Sequence, residues 1–381
     1  MKLIHTADIG LDRCFADQAL PPHVGQESRA YLRSIVQIIL DRAQAWSADG
    51  VLIAGNLFDV NRVERDTVSF LREAFAAIAP IPIFISPGSS DPCVLASPYL
   101  TELWPENVHI FSKPTVTSMQ LGPLTVFGFG HNGPDVALQP FDNFERAESV
   151  GPHLVLASAR ATYLDDPENA APTTIALESL AHPELAYVAL GGHPTVQSVG
   201  DSQGVAAWYP GTPAAMHYSA TGPHHYLEIT IPGAEALRVD TIPVSMGRFF
   251  RMTVDCTDLS SGQALIDVIR PHLIAEEDRQ CAQIILEGAL LPEIYDEMTS
   301  VRDVLAENVG YLDLVDHCFV AENFEVLAKL ETSLGAFVAR ITREIDDAPD
   351  ATRRAALCRS RDLALCAYRG QHLPIRAAQG D

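Results

Sequence analysis

The spacing of apolar positions in the first 110 residues changes period repeatedly, and each change marks an element. Leu3 to Ala7 form a short apolar run that ends in the polar Asp8, the pattern of a buried strand. Residues 28–46 place Tyr31, Leu32, Ile35, Val36, Ile39, Leu40 and Ala43 at helical spacing. A second strand is expected at 51–54, and a second helix carries Val68, Leu71, Phe75 and Ile78. Further strands are expected within "IPIFISPGSSD" (81–91) and at 107–111. Alternating strands and helices predict parallel strands with helical crossovers. The polar loops after residues 7, 54 and 85 then gather beyond the carboxyl ends of those strands, where such sheets bind ligands.

From about 120 to 245 the pattern is richer in strands, expected at 124–129, 153–157, 186–190, 225–231 and 237–242, with loops rich in Gly, Pro and His. A new alternating strand starts at Arg248 after Met246-Gly247 and runs to Cys256. A helix at 262–274 and a strand at 282–286 follow. The chain thus reads as three parts: 1–245, a small α+β part at 246–320, and a helical segment at 321–381. In the last, Val326, Leu327, Leu330, Leu334, Phe337, Val338 and Ile341 form one amphipathic stripe, and a second helix is expected from 351 to about 369. A stripe shows that a face is buried. Whether its own domain or a partner buries it stays open.

Composition narrows the class. Of 381 residues, 47% are hydrophobic and 20% charged, an ordinary globular balance. No apolar run is as long as a membrane span, and no basic-then-apolar leader opens the chain, so a cytoplasmic protein is expected. The formal net charge of −23 disfavours a broad basic surface for nucleic acid. Seven scattered cysteines without a CxxC pair predict neither a zinc site nor a disulfide framework.

Six stretches carry something more specific: "KLIHTADIGLD", "DGVLIAGNLFD", "IPIFISPGSSDP", "WPENVHIF", "YVALGGHPTVQ" and "WYPGTP". In order and spacing over residues 1–245 they resemble the calcineurin-like metallophosphoesterases, and within them the SbcD-type bacterial DNA-repair exonucleases of the YhaO-like branch. The resemblance implies an α/β fold, an αββα sandwich with a small α+β capping domain and a C-terminal helical tail. It also implies a two-metal centre that clamps a phosphoryl group and activates a water. The implied partners are an SMC-like ATPase of the SbcC or YhaN kind, a second copy of the chain, and DNA.

The residues depart from the family's pattern at nearly every ligand position. The Asp-x-His motif keeps Asp8 but has Gly10 for the histidine. In Gly-Asp-x-x-Asp the bridging aspartate is Asn56, while Asp59 remains. Gly-Asn-His-Asp reads Gly88-Ser89-Ser90-Asp91, so the amide ligand is Ser89 and the catalytic histidine Ser90. A later histidine ligand is Ser158. In Gly-His-x-His, ungapped alignment gives Gly192 and Pro194, and a one-residue shift brings His193 to one of the two positions. Asp59 and Asp91 are not direct ligands in the family and are expected to cap or brace turns. Gly211 and Pro213 of "WYPGTP" are expected to set a turn. His131, His224 and His225 have no spacing that argues for a separate site, and no Ser-His-Asp order accompanies Ser89-Ser90.

Asp8 with His193 cannot hold two dications, which need several charged or imidazole donors. No cofactor is therefore expected, or at most one Mn²⁺ or other divalent ion. The expected function is a scaffold or regulatory subunit of a DNA-processing complex that has lost two-metal catalysis. The alternative is an active metal-dependent phosphoesterase or DNA exonuclease with an altered site. A protein-binding module without a DNA connection is a third reading.

Overall fold

The computed structural model describes residues 1–15, 20–133, 141, 151–162, 173–180, 184–199, 206–218, 220, 222–231, 237–245, 249–273 and 280–370. The Met246-Gly247 break and Arg248 lie outside these, and the helix expected over 262–274 ends at Ile269, giving way to a 3-10 turn at Arg270–His272 where Pro271 cannot continue the α-helical ladder. The chain divides into two compact units, Met1–Arg248 and Phe249–Asp381.

The first unit runs β1 (Lys2–Thr6), α1 (Pro22–Ala45), β2 (Gly50–Ile53), α2 (Arg65–Ala77), β3 (Ile83–Ile85), α3 (Pro98–Thr101), β4 (Val108–Ile110), β5 (Thr117–Leu121) and β6 (Leu124–Gly128). It continues through β7 (His153–Ser158), β8 (Arg160–Thr162), β9 (Thr174–Ala176), α4 (Leu177–Leu180), β10 (Leu185–Gly191), β11 (Gln197–Ser198), β12 (Ala207–Tyr209), β13 (His224–Thr230) and β14 (Arg238–Ser245). Two six-stranded sheets result, ordered β14-β13-β1-β2-β3-β4 and β11-β12-β10-β7-β6-β5. In the first, β1 to β4 are parallel, as the alternation with helices predicts, and β13 and β14 add an antiparallel edge.

Between the sheets lies a core to which both contribute alternate residues. Leu3, Leu52, Phe84, Leu227 and Ile229 from one sheet meet Leu124, Val126, Leu154, Leu156, Tyr187 and Ala189 from the other. This period of two makes the layers a sandwich. The outer face of the second sheet packs Phe127, Val155, Val188 and Leu190 against Ile175, Leu177 and Leu180. His5 enters the inter-sheet space. His5 Nδ1 lies 3.0 Å from the Tyr187 hydroxyl and Nε2 lies 3.1 Å from the Leu190 carbonyl oxygen. The carbonyl can only accept, so Nε2 carries the proton and Nδ1 accepts from Tyr187.

The first helix differs from its expected form. α1 starts six residues before position 28, with Pro22 at its first turn, where a missing N–H costs nothing. Its early buried residues include Gly25 and Ser28, small or polar types that conceal the helical stripe in the sequence.

The second unit holds β15 (Phe249–Asp255), α5 (Gly262–Ile269), β16 (Cys281–Glu287), β17 (Ala289–Leu290), α6 (Pro292–Ala306), β18 (Tyr311–Asp316), β19 (Phe319–Val320), α7 (Phe324–Leu327), α8 (Ser333–Asp346) and α9 (Ala351–Arg369). β15, β16 and β18 form a parallel three-stranded sheet. Its core joins Val254, Ile284 and Leu286 to Leu265, Ile294, Val301 and Leu305 of the two crossover helices. The single stripe expected across 326–341 is broken into α7 and α8. Thr332 caps a fresh helix, its hydroxyl accepting from Gly335 N–H at 3.1 Å, which leaves Val326 and Leu330 exposed.

Candidate functional site

The site is built where β1 and β2 end. Their parallel pairing continues past the strands: Asp8 N–H donates to Gly55 O (3.0 Å), Gly10 N–H to Asn56 O (2.9 Å) and Leu11 N–H to Leu57 O (2.9 Å). This zipper sets the loops after residues 7 and 54 side by side and brings Asp8 opposite Asn56. Both residues hold left-handed backbone, with φ of +55° each. Non-glycine residues adopt that region at a cost, and such costs collect at functional loops.

The two side chains bond directly. Asn56 Nδ2 donates to Asp8 Oδ1 at 2.6 Å. The orientation of the amide is dictated by its other end, since Asn56 Oδ1 accepts from Ser90 N–H (3.0 Å) and the Ser90 hydroxyl (2.9 Å). Asp8 Oδ2 accepts from Gly192 N–H at 2.8 Å. Asp8 thus stitches together the ends of β1, β2 and β10. Burial of its carboxyl raises its pKa to about 7, against the lowering effect of the Asn56 and Gly192 hydrogen bonds.

Small residues fill the spaces where the resemblance would place ligands. A Cβ built on Gly10 would stand 3.2 Å from Met216 Cε, 3.3 Å from its Sδ and 3.7 Å from Arg13 Cδ. A larger residue at position 10 would therefore press on Met216 and touch Arg13. Ser158 is packed under the loops: a Cβ on Gly55 would meet its Cβ at 2.5 Å, and one on Gly88 would meet its Oγ at 2.7 Å. Ser90 is turned inward onto Asn56, whereas Ser89 lines the open side. His193 lies with its Nδ1 3.0 Å from the Thr195 carbonyl oxygen and its ring against Tyr209.

Asp91 is fully buried and is saturated by donors. Its oxygens accept from Asn56 N–H (2.8 Å), Gly88 N–H (2.6 Å), Leu57 N–H (2.8 Å) and the Tyr99 hydroxyl (2.7 Å), so it ties the loop after β3 to the loop after β2. Asp59 accepts from Asn61 N–H at 3.0 Å and pairs with Arg62 at 3.2 Å. His131, also buried, has Nε2 2.9 Å from the Ser158 carbonyl oxygen. His224 faces Thr212 instead, its Nδ1 2.9 Å from that residue's carbonyl oxygen.

Together these loops surround a cavity of about 560 Å³, with Asp8, Arg13, Asn56, Asp59, Arg62, Ser89, Ser90, His193 and Met216 in its wall. The residues present do not fit a binuclear metal centre. Asp8's oxygens are engaged by N–H donors, Asn56 presents its amide N–H₂ toward Asp8, and two guanidinium groups share the space. Among the described residues no group of three or more His, Cys, Asp or Glu side chains is arranged to hold a metal ion. Sequence reasoning missed Arg13, Arg62 and Met216. Arg13 is visible as a basic residue in the loop after Asp8. Met216 gave no signal, because it reaches the site from 203 positions away.

A family model described as calcineurin-like phosphoesterase matches residues 1–193. The uncharacterized metallophosphoesterase YhaO of Bacillus subtilis strain 168 is 21% identical over 362 residues, covering 90% of this chain and 87% of that protein.

Proposed function

The chain belongs to the calcineurin-like phosphoesterases, and within that family we propose that it acts without two-metal catalysis, as a scaffold or regulatory subunit of a DNA-processing complex. The observation that carries this reading is the hydrogen bond between Asn56 and Asp8. A neutral amide stands where a bridging carboxylate would hold two cations, and it is bonded to Asp8, the carboxylate kept from the first motif. Losing the bridge removes the negative charge that lets two dications sit close together. Ser89, Ser90, Ser158 and Gly192 supply no imidazole in compensation. The partner class, an SMC-like ATPase, follows from the likeness of the six sequence stretches to SbcD-type exonucleases.

The activity half is tested with protein purified without chelator. Hydrolysis of bis(p-nitrophenyl) phosphate and of linear duplex DNA is measured with and without Mn²⁺, next to Asp8→Ala. No Mn²⁺-dependent turnover in either protein is expected. Turnover that disappears in Asp8→Ala contradicts the reading. The scaffold half is tested by isolating the tagged chain from its host: an SMC-like ATPase in the complex supports it, and a complex without one removes it.

A further inference from the structure

Removing metals from a phosphoesterase cavity takes away its positive charge, yet this cavity is not left without any. Arg13 lies in its wall, and its Cδ together with the Met216 thioether occupies the space beside Gly10. Arg13 Nη1 donates to Met216 Sδ at 2.9 Å. Sulfur is a weak acceptor, so the guanidinium is aimed by this contact without being neutralised. Arg13 makes no ion pair among the described residues, whereas Arg62 at the same wall is matched by Asp59 at 3.2 Å. Asp8's oxygens are taken by Asn56 and Gly192. The Ser89 hydroxyl lines the cavity with no partner among the described residues. A fork-shaped cation and an open hydroxyl thus face one space on a chain whose net charge is −23.

We propose that Arg13 makes this cavity a metal-free site for a phosphate-bearing ligand of nucleotide size, an inference that rests on the non-catalytic reading above. A guanidinium offers parallel N–H donors to two oxygens of a phosphate, and Ser89 offers a donor to a third. The volume of about 560 Å³ is far larger than a phosphate ion. It falls in the range of roughly 300–1,000 Å³ typical of small-molecule sites. A fixed organic cation does for recognition what a dication would do, but it cannot activate water. The site therefore binds such a group without cleaving it. The free phosphate of a mononucleotide and the terminal phosphate of a polynucleotide share this chemistry.

The test is calorimetric titration of the full chain in EDTA with inorganic phosphate, thymidine 5′-monophosphate, thymidine and a 5′-phosphorylated oligonucleotide. Phosphate and the monophosphate are expected to bind and thymidine is not. Tighter binding of the oligonucleotide assigns the polynucleotide end as the ligand, and its exclusion assigns the mononucleotide. Arg13→Gln is expected to weaken binding roughly 10- to 100-fold, the weight of one charge-assisted contact. Ser89→Ala, which removes the second donor of the site, is expected to weaken binding as well, and it keeps the test decisive if Arg13→Gln does not fold. Metal-free protein that binds neither phosphate nor the monophosphate at millimolar concentration overturns this inference and leaves the non-catalytic reading standing. Binding indifferent to Arg13→Gln overturns it too. Phosphate binding that requires a stoichiometric metal overturns both.

Discussion

A single amide now joins the loops after β1 and β2. Asn56 uses both ends, donating to Asp8 and accepting from Ser90, so its geometry is specific to an amide and not to a carboxylate. Asn56→Asp replaces the donor facing Asp8 with an acceptor and sets two acids 2.6 Å apart. We expect it to destabilise the protein by about 2–3 kcal/mol above about pH 8, because Asp8, whose pKa is already raised to about 7, is then pressed to ionise beside a second carboxylate. Added Mn²⁺ is expected not to restore the loss, since the other ligand positions are still empty of donors. Urea unfolding with and without Mn²⁺ checks this, and recovery by metal would show that a latent site survives. At this scale much was legible. Gly10, Asn56, Ser89, Ser90 and Ser158 are each readable as replacements. Their new contacts were not, because packing of Met216 over Gly10 and of Ser158 under Gly55 is decided by tertiary approach.

At the scale of elements, α1 is pinned to β13 through Arg42. Arg42 Nε and Nη2 donate to the two Glu228 oxygens at 2.6 and 3.1 Å, and Glu228 is 5% exposed. A buried carboxylate that loses its charged partner stays buried, and Glu228 would keep, among the described residues, only the Tyr226 hydroxyl at 3.4 Å. Arg42→Ala is expected to lower stability in denaturant unfolding, and the half-exposed guanidinium makes the loss smaller than for a fully buried pair. Arg42→Lys is expected to recover only part, because an ammonium cannot engage both oxygens in the same way. No measurable loss for Arg42→Ala would place the pair with ordinary surface ion pairs. Elements with strong periodicity were readable: β1 to β4, α2 and α9 fall within a few residues of expectation. The short strands β5, β8, β9, β11 and β12 were not, since two to five residues carry too little pattern to separate strand from loop. The 326–341 stripe misled for another reason. Hydrophobic spacing is blind to a capping threonine, and Thr332 ends one helical register and starts the next.

Over the first unit as a whole, the same burial that closes the sandwich sets its response to acid. His5, enclosed between the sheets, has its pKa lowered to about 3 by burial, against the raising effect of its Leu190 contact. The unfolded chain binds this proton near pH 6.5 and the folded one does not until about pH 3. The stability His5 supports is present above pH 6.5 and is lost as pH falls through that window. Asp8 has the opposite sign: its pKa is raised, so its contribution declines as pH rises from about 4 to about 7. The stability difference between wild type and His5→Gln is therefore expected to grow with pH, by about 1.4 kcal/mol per unit between pH 4 and 6.5. Equilibrium unfolding at several pH values measures it, and a difference constant with pH would mean that His5 is charged inside the fold. Among the described residues no helix is long and apolar enough to cross a membrane. The order of strands and helices made the parallel sheet of β1 to β4 readable from the sequence, whereas the two-layer sandwich was implied by the resemblance of the six stretches to the calcineurin-like family. The charge arrangement of the cavity was not, because Arg13 and Met216 meet only once the chain has folded.

Metal content is the most direct measurement of the central claim. Protein prepared without chelator and exchanged into Mn²⁺ would be weighed for bound metal by elemental mass spectrometry, and its thermal unfolding followed with and without the ion. Asn56 bonded to Asp8, with Arg13 and Met216 over Gly10, predicts no stoichiometric metal and no shift in Tm, since a ligand that does not bind the folded state cannot stabilise it. Two bound ions per chain with a raised Tm, both abolished by Asp8→Ala, would contradict it.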